Sequence, residues 1–144
     1  MITIERAIEI ANEAHKGQND LEGQPYILHP LTVGLMGTTR EEQITGFLHD
    51  VVEDTDTTFD DLLRMEVDAE IVDALRLLTH DKEKMTYREY VQNIILSGNR
   101  LAMSVKKNDL THNIARGKKY GHMSLVKRHE EAIRAILEAL SGKE

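Results

Sequence analysis

Apolar positions recur at helical spacing along almost the whole chain. Ile4, Ala7, Ile8, Ala11 and Ala14 fall on one face of a first helix. Gly17, Gly23, Pro25 and Pro30 interrupt that pattern, so 17–30 reads as a loop, followed by a short helix after Pro30 that stops near Gly37. Thr39-Arg40-Glu41-Glu42 has capping-box spacing and opens a helix whose Ile44, Phe47, Leu48 and Val51 share a buried face. The spacing predicts that this helix runs on to carry His49-Asp50. Thr58-Phe59-Asp60-Asp61 opens a short helix, and Ile71, Val72, Leu75 and Leu78 mark the next. Thr86-Tyr87-Arg88-Glu89 is a second capping box, heading a helix that ends at Ser97-Gly98. A further helix is predicted from about Arg100 to Ala115. The last has Leu125, Ala132, Ile133, Ile136, Leu137 and Leu140 at its apolar positions and Gly142 as its stop. Strand signals, repeats and low-complexity tracts are nearly absent. The pattern predicts an all-α, compact bundle of about eight helices, with residues 1–144 forming one domain.

The chain has no cysteine. Disulfides, thiolate metal sites and cysteine nucleophiles are therefore excluded. No apolar run approaches the ~18 residues of a membrane span, and the N-terminus reads as an amphipathic helix instead of a signal peptide. A cytoplasmic protein without a membrane partner is expected. A net charge of −7 argues against nucleic acid as a partner. The charge is uneven: residues 105–144 hold nine Lys and Arg against five Asp and Glu, whereas residues 1–104 hold nine against twenty. Lys106, Lys107, Arg116, Lys118 and Lys119 form a local basic cluster. Two readings stay open for it, attraction of a phosphorylated small molecule and plain solvated surface.

The densest chemistry is His49-Asp50-Val51-Val52-Glu53-Asp54. His49 and Glu53 are four residues apart, and Asp50 is three and four residues from Glu53 and Asp54, so all four can line one side of a helix end. Burying three carboxylates and an imidazole costs free energy unless they are paired or hold a cation. Solvated surface is the alternative reading. Without sulfur donors, a cation here would be manganese, iron, magnesium or zinc held by nitrogen and oxygen. Two further groups stand elsewhere: His29, within Tyr26-Ile27-Leu28-His29-Pro30, and Asp109 with Asn113, four residues apart on a later helix.

Taken in order, these pieces resemble the HD-domain metal phosphohydrolases, and more narrowly the alarmone hydrolase domain of RelA/SpoT proteins and their small stand-alone relatives. The likeness covers residues 1 to about 116. It rests on Ala14-His15-Lys16-Gly17-Gln18, Gly23-Gln24-Pro25-Tyr26-Ile27-Leu28-His29-Pro30, Leu48-His49-Asp50-Val51-Val52-Glu53-Asp54-Thr55, and Val105-Lys106 through Asp109 to Asn113. The resemblance implies that His29, His49, Asp50 and Asp109 ligate one divalent metal, usually manganese. A metal so held acidifies water and absorbs charge at phosphorus. Glu53 and Asp54 are implied as the proton-transfer groups, their order unassigned. Asn113, Lys106 and Tyr26 are implied to meet a phosphorylated nucleotide substrate. His112 reads either as a support behind the ligands or as a satisfied core histidine. His80, His122 and His129 read as structural or surface residues.

One departure bears on substrate. The resembled family carries Arg-Lys in the loop after His-x-x-Gln, where this chain has Asp20-Leu21. An acid there reverses the local charge and would repel a polyphosphate if it faced the pocket. The family's Asp-Arg-Leu-His-Asn reads Asp109-Leu110-Thr111-His112-Asn113 here. The expected activity is removal of the 3′-pyrophosphate of guanosine tetra- or pentaphosphate, and hydrolysis only, since 144 residues hold no synthetase domain. The alternatives are an HD phosphohydrolase for another nucleotide or phosphoester, and a non-catalytic nucleotide-binding module with a structural metal. A di-iron oxygenase would need more His and Asp ligands than these motifs supply.

Overall fold

A computed structural model describes residues 1–142. Among them are nine helices: α1 (Ile4–Ala14), α2 (Leu28–Leu35), α3 (Arg40–Leu48), α4 (Val51–Asp54), α5 (Phe59–Arg64), α6 (Ala69–Leu78), α7 (Tyr87–Ser97), α8 (Arg100–Tyr120) and α9 (Met123–Ser141). No strand is present among the described residues; an isolated bridge pairs Asn19 with Pro25 in the loop before α2. The all-α expectation holds. No described helix is long and apolar enough to cross a membrane.

Helix α3 is the hub. It packs against α1, α2, α6 and α8, and Ile44, Thr45, Gly46, Phe47 and Leu48 are all buried. A helix covered on every side needs small residues where its neighbours cross. Here a Cβ on Gly46 would lie 2.7 Å from the Gly34 Cα of α2, and one on Gly34 would lie 2.1 Å from the Phe47 ring. The two glycines let α2 and α3 approach backbone to backbone. One apolar cluster, with Ile10, Ile44, Phe47, Leu62 and Ile71, joins α1, α3, α5 and α6. A second, with Leu78, Ile94, Leu110 and Ile136, joins α6 to α7, α8 and α9. Each such side chain taken out of water contributes roughly 1.5–3 kcal/mol.

Several boundaries differ from the pattern in the sequence. Helix α2 begins at Leu28, so Pro30 is its third residue. First-turn N–H groups have no partner within a helix, and proline loses nothing there. Thr39 caps α3 through Glu42 N–H, but the Glu42 carboxylate takes the N–H of Thr38 (3.0 Å), leaving half of the expected box. The Thr58 and Thr86 boxes are complete. Helix α3 stops at Leu48 and does not carry His49-Asp50 onward. The His49 ring donates Nδ1–H to Gly46 O (2.7 Å), the carbonyl a continuing helix would offer to Asp50 N–H. Asp50 then turns out of helical geometry (φ −105°, ψ 1°) before α4. Helix α8 runs past Ala115 to Tyr120. Gly117 lies inside it because Val126 of α9 fills the space where a Cβ would stand (2.6 Å). Leu125 and Leu137 keep helical spacing but stay 36% and 46% exposed, so periodicity overstated the buried face of α9.

Candidate metal centre and active site

The break at His49-Asp50 sets the site. With Nδ1–H engaged by Gly46 O, the His49 ring turns Nε2 inward. That nitrogen lies 3.1 Å from Asp50 Oδ2 and 3.3 Å from Asp109 Oδ1. It is buried and makes no aligned hydrogen bond. Burial works against charging His49, yet Asp50 and Asp109 hold its pKa well above the ordinary imidazole value. The field at this point therefore favours positive charge. Burial would raise Asp50 and Asp109; His49 keeps the first low, and Lys106, with His29 and His49, keeps the second well below the usual range.

His29, in the first turn of α2, approaches from the other side. Its Nε2 lies 2.8 Å from Asp109 Oδ1 and 3.8 Å from Asp50 Oδ2. Its Nδ1 lies 2.7 Å from Nδ1 of His112, whose ring is stacked on it. Burial, with help from His29 and Arg116, depresses His112 to about 4, so it is neutral near pH 7. Two proton arrangements satisfy this chain. Either His112 donates to His29, which donates Nε2–H to Asp109, or His29 donates Nδ1–H to His112 and frees the Nε2 lone pair for a cation. His112 thus stands behind His29, hydrogen-bonded to it and stacked on its ring.

The remaining groups tie down the carboxylates. Tyr26 donates its hydroxyl to Asp50 Oδ2 (2.5 Å); burial first, then Asp50, raises the phenol and keeps it protonated. Lys106 donates Nζ to Asp109 Oδ2 (2.9 Å) from between the rings of Tyr90 and Tyr87. Although burial disfavours its charge, Asp109 keeps Lys106 protonated. Asn113 donates Nδ2 to Asp109 Oδ1 (3.1 Å) and accepts from Arg116 Nη2. Lys106, Tyr26 and Asn113 therefore address the carboxylates as well as the cavity they line.

Glu53 and Asp54, on the short α4, stand beside this group. Burial raises both pKa values, and Asp50 adds to the rise at each. Glu53 accepts the backbone N–H of His80 (2.8 Å). His15 and Gln18 lie at 2.9 Å, and Gln18 donates Nε2 to Asp54 O, tying α1 to the end of α4.

The candidate ligands His29, His49, Asp50 and Asp109, with Glu53, Asp54, Tyr26, Lys106 and Asn113, line a cavity of about 710 Å³. Among the wall residues not expected at the site, four carry an imidazole or a positive charge: His80, Lys82, Arg128 and His129. Only the positive charge of Lys82 and Arg128 could have pointed to a phosphate, and surface cations are too common to do so. Asp20 is not in this wall, whereas Leu21 is. The loop that carries them is fastened to the turn between α8 and α9 by His122 and Glu22 (2.7 Å).

The donor set fits a cation. One ligand atom each from His29, His49 and Asp50 lies within 4.8 Å of the others, and the orphaned, buried His49 Nε2 points among them. Two imidazoles with carboxylate oxygen suit a divalent first-row ion.

The structure thus brings His29, His49 and Asp50 together beside the partly buried Glu53 and the more exposed Asp54, the residues on which the sequence resembles the HD-domain family. The comparisons with known proteins agree. The chain is 37% identical over 100 residues to the guanosine-3′,5′-bis(diphosphate) 3′-pyrophosphohydrolase of Aquifex aeolicus, covering 65% of this chain and 14% of that protein. It is 30% identical over 122 residues to the bifunctional (p)ppGpp synthase/hydrolase SpoT of Escherichia coli, covering 77% and 17%. The chain thus spans about a sixth of the length of these relatives. A solved structure of a metazoan orthologue of SpoT that hydrolyses ppGpp has the same fold, with a TM-score of 0.74 at 22% identity over 96% of this chain and 85% of that one. No family model matches. The chain belongs with these homologues in the HD-domain family.

Proposed function

We propose that this chain is a metal-dependent phosphohydrolase that converts guanosine 3′,5′-bis(diphosphate) to GDP and pyrophosphate. The observation that carries the reading is the meeting of His29, His49 and Asp50, whose ligand atoms lie within 4.8 Å of one another, with Asp109 against both histidines and Glu53 and Asp54 beside them. His29, His49, Asp50 and Asp109 would hold the ion, and manganese best suits a donor set of nitrogen and oxygen with open positions. Bound there, the ion would acidify water and absorb charge at phosphorus.

The chain's own groups divide the remaining work. Water attacks the 3′ phosphorus, the bond from phosphorus to the ribose 3′ oxygen breaks, and pyrophosphate departs. One of Glu53 and Asp54 takes the proton from water and the other returns one to the 3′ oxygen. Raised pKa values suit carboxyls that must carry protons at the operating pH. Lys106 and Asn113 hold Asp109 in place, and Tyr26 holds Asp50. Lys82 and Arg128 in the cavity wall supply positive charge for the diphosphates. Residues 1–144 act as one domain in this reading, with Leu101 packed against both apolar clusters. A guanine nucleotide substrate fits a cytoplasmic enzyme.

Turnover of guanosine tetraphosphate by manganese-loaded protein, with products separated by ion exchange, tests the proposal. GDP plus pyrophosphate, abolished by chelator, is expected. No turnover with metal bound would favour the second reading, another nucleotide or phosphoester as substrate, for which Asp20-Leu21 is the specific observation.

A further inference from the structure

The acid in the loop before α2 is not left to repel a substrate. Asp20 Oδ1 accepts the backbone N–H groups of Glu22 and Gln24, both at 2.9 Å. Its Oδ2 lies 3.8 Å from Arg116 Nη1 on α8. Arg116 donates Nη2 to Asn113 Oδ1 (2.5 Å), and Asn113 in turn donates to Asp109. Asn113 therefore holds the guanidinium by a hydrogen bond at one edge, and Asp20 faces it as an ion-pair partner.

Its position is as informative as its partners. Arg116 belongs both to the wall of the metal-side cavity and to the wall of an adjoining slot of about 400 Å³. The apolar sides of that slot come from Leu21, Tyr26, Tyr120 and Leu125, and the loop acids Asp20 and Glu22 line it as well. The first chamber has the ligands and cations that phosphates need. The second has the apolar sides that a flat ring needs. Arg116 stands where they join, and the hydrogen bonds of a guanidinium lie in its plane, so edge-on anchoring leaves its flat faces for stacking.

We infer that Arg116 is the cation that reads the nucleotide in this chain, stacking on its purine, and that Asp20 is its positioning residue. The inference rests on the nucleotide reading above. It reverses the meaning of Asp20: the charge missing from the loop is supplied from α8, across the gap, and the loop acid holds it there. An arginine free in solvent would lose side-chain entropy on binding; one already held loses less.

The test compares Arg116→Ala, Arg116→Lys, Asp20→Ala, Asp20→Glu and Asp20→Arg with the wild type, all manganese-loaded. With guanosine tetraphosphate, Arg116→Ala should raise KM at least tenfold and change kcat less than threefold. Arg116→Lys should not rescue it, because a lysine keeps the charge but not the flat group. Asp20→Ala should raise KM by a smaller factor and Asp20→Glu should restore it, with melting temperatures unchanged. Asp20→Arg should raise KM also; a lower KM would overturn the inference, and so would wild-type KM in Arg116→Ala. If the wild type does not turn this substrate over, the proposed reaction fails by itself. The inference is then judged by calorimetric binding of GDP and ADP. A tenfold weaker Kd in Arg116→Ala supports it, and equal Kd values or no binding by the wild type overturn it.

Discussion

The inner and outer ends of the cleft handle charge differently. At the inner end, His29, His49, Asp50 and Asp109 share partners: Asp109 alone meets two histidines, Lys106 and Asn113. At the outer end, Asp20 and Arg116 meet across a gap of 3.8 Å, and both side chains keep some contact with water. A group with four partners cannot change without stranding the others in a medium where an unpaired charge is costly. A pair near solvent can exchange its signs between loop and helix and still present a cation. The inner end is thus constrained by shared partners, while the outer end is freer to vary.

Removing the centre of the inner network should have the largest effect. Asp109→Ala leaves Lys106 buried without its carboxylate, and a loss of roughly 3–5 kcal/mol is expected together with loss of metal. Denaturant melts and elemental analysis would show both; a stable, metal-replete variant would mean that the inner groups act separately. Glu53→Gln should keep the metal, because Glu53 stands outside the ligand set, and the amide oxygen can still accept His80 N–H. Turnover should fall roughly 10²–10⁴-fold. An undiminished rate in single-turnover measurements would remove Glu53 from proton transfer.

Gly46→Ala probes the frame of the inner end without touching a ligand. The new methyl would meet Gly34 Cα at 2.7 Å. Overpacking of this kind costs about 1–3 kcal/mol, and a matching fall in Tm is expected. The smallest effect belongs to His129 in the cavity wall. Burial, then Arg128, lowers it from 6.5 to about 4. The unfolded chain therefore binds this proton more readily than the folded one. The stability contributed by keeping His129 neutral is present in full above pH 6.5 and is lost as the pH falls through about 4. His129→Gln should flatten the acid side of a plot of Tm against pH; an unchanged slope would show that the ring titrates freely.

The inner end was the more legible in sequence. The resemblance of the ordered motifs picked out His29, His49, Asp50 and Asp109, and the structure places each of these side chains against others of the four. The turn that aims them was not legible. No Gly or Pro marks the break after Leu48, because the break arises from the His49 ring competing for Gly46 O. Helix caps at Thr58 and Thr86 were readable, since a capping box involves only neighbours in sequence. The length of α8 was not, because Gly117 breaks a helix on propensity alone and is accommodated only by contact with Val126. At the outer end the sign of Asp20 was plain, but its partner is 96 residues away on α8. A charge read without its partner suggested an unpaired acid where the fold places an arginine beside it.

The crossing of α2 and α3 reaches further than packing. His29 lies five residues before Gly34 on one helix, and His49 lies three residues after Gly46, just past the end of the other. The bare contact between the two glycines therefore acts as a gauge for the gap between the two imidazoles, whose ring centres are 5.1 Å apart. A methyl added there would be felt as a wider gap between His29 and His49. The spacing of the two imidazoles is thus set in part at a point remote from both rings, by the absence of two side chains.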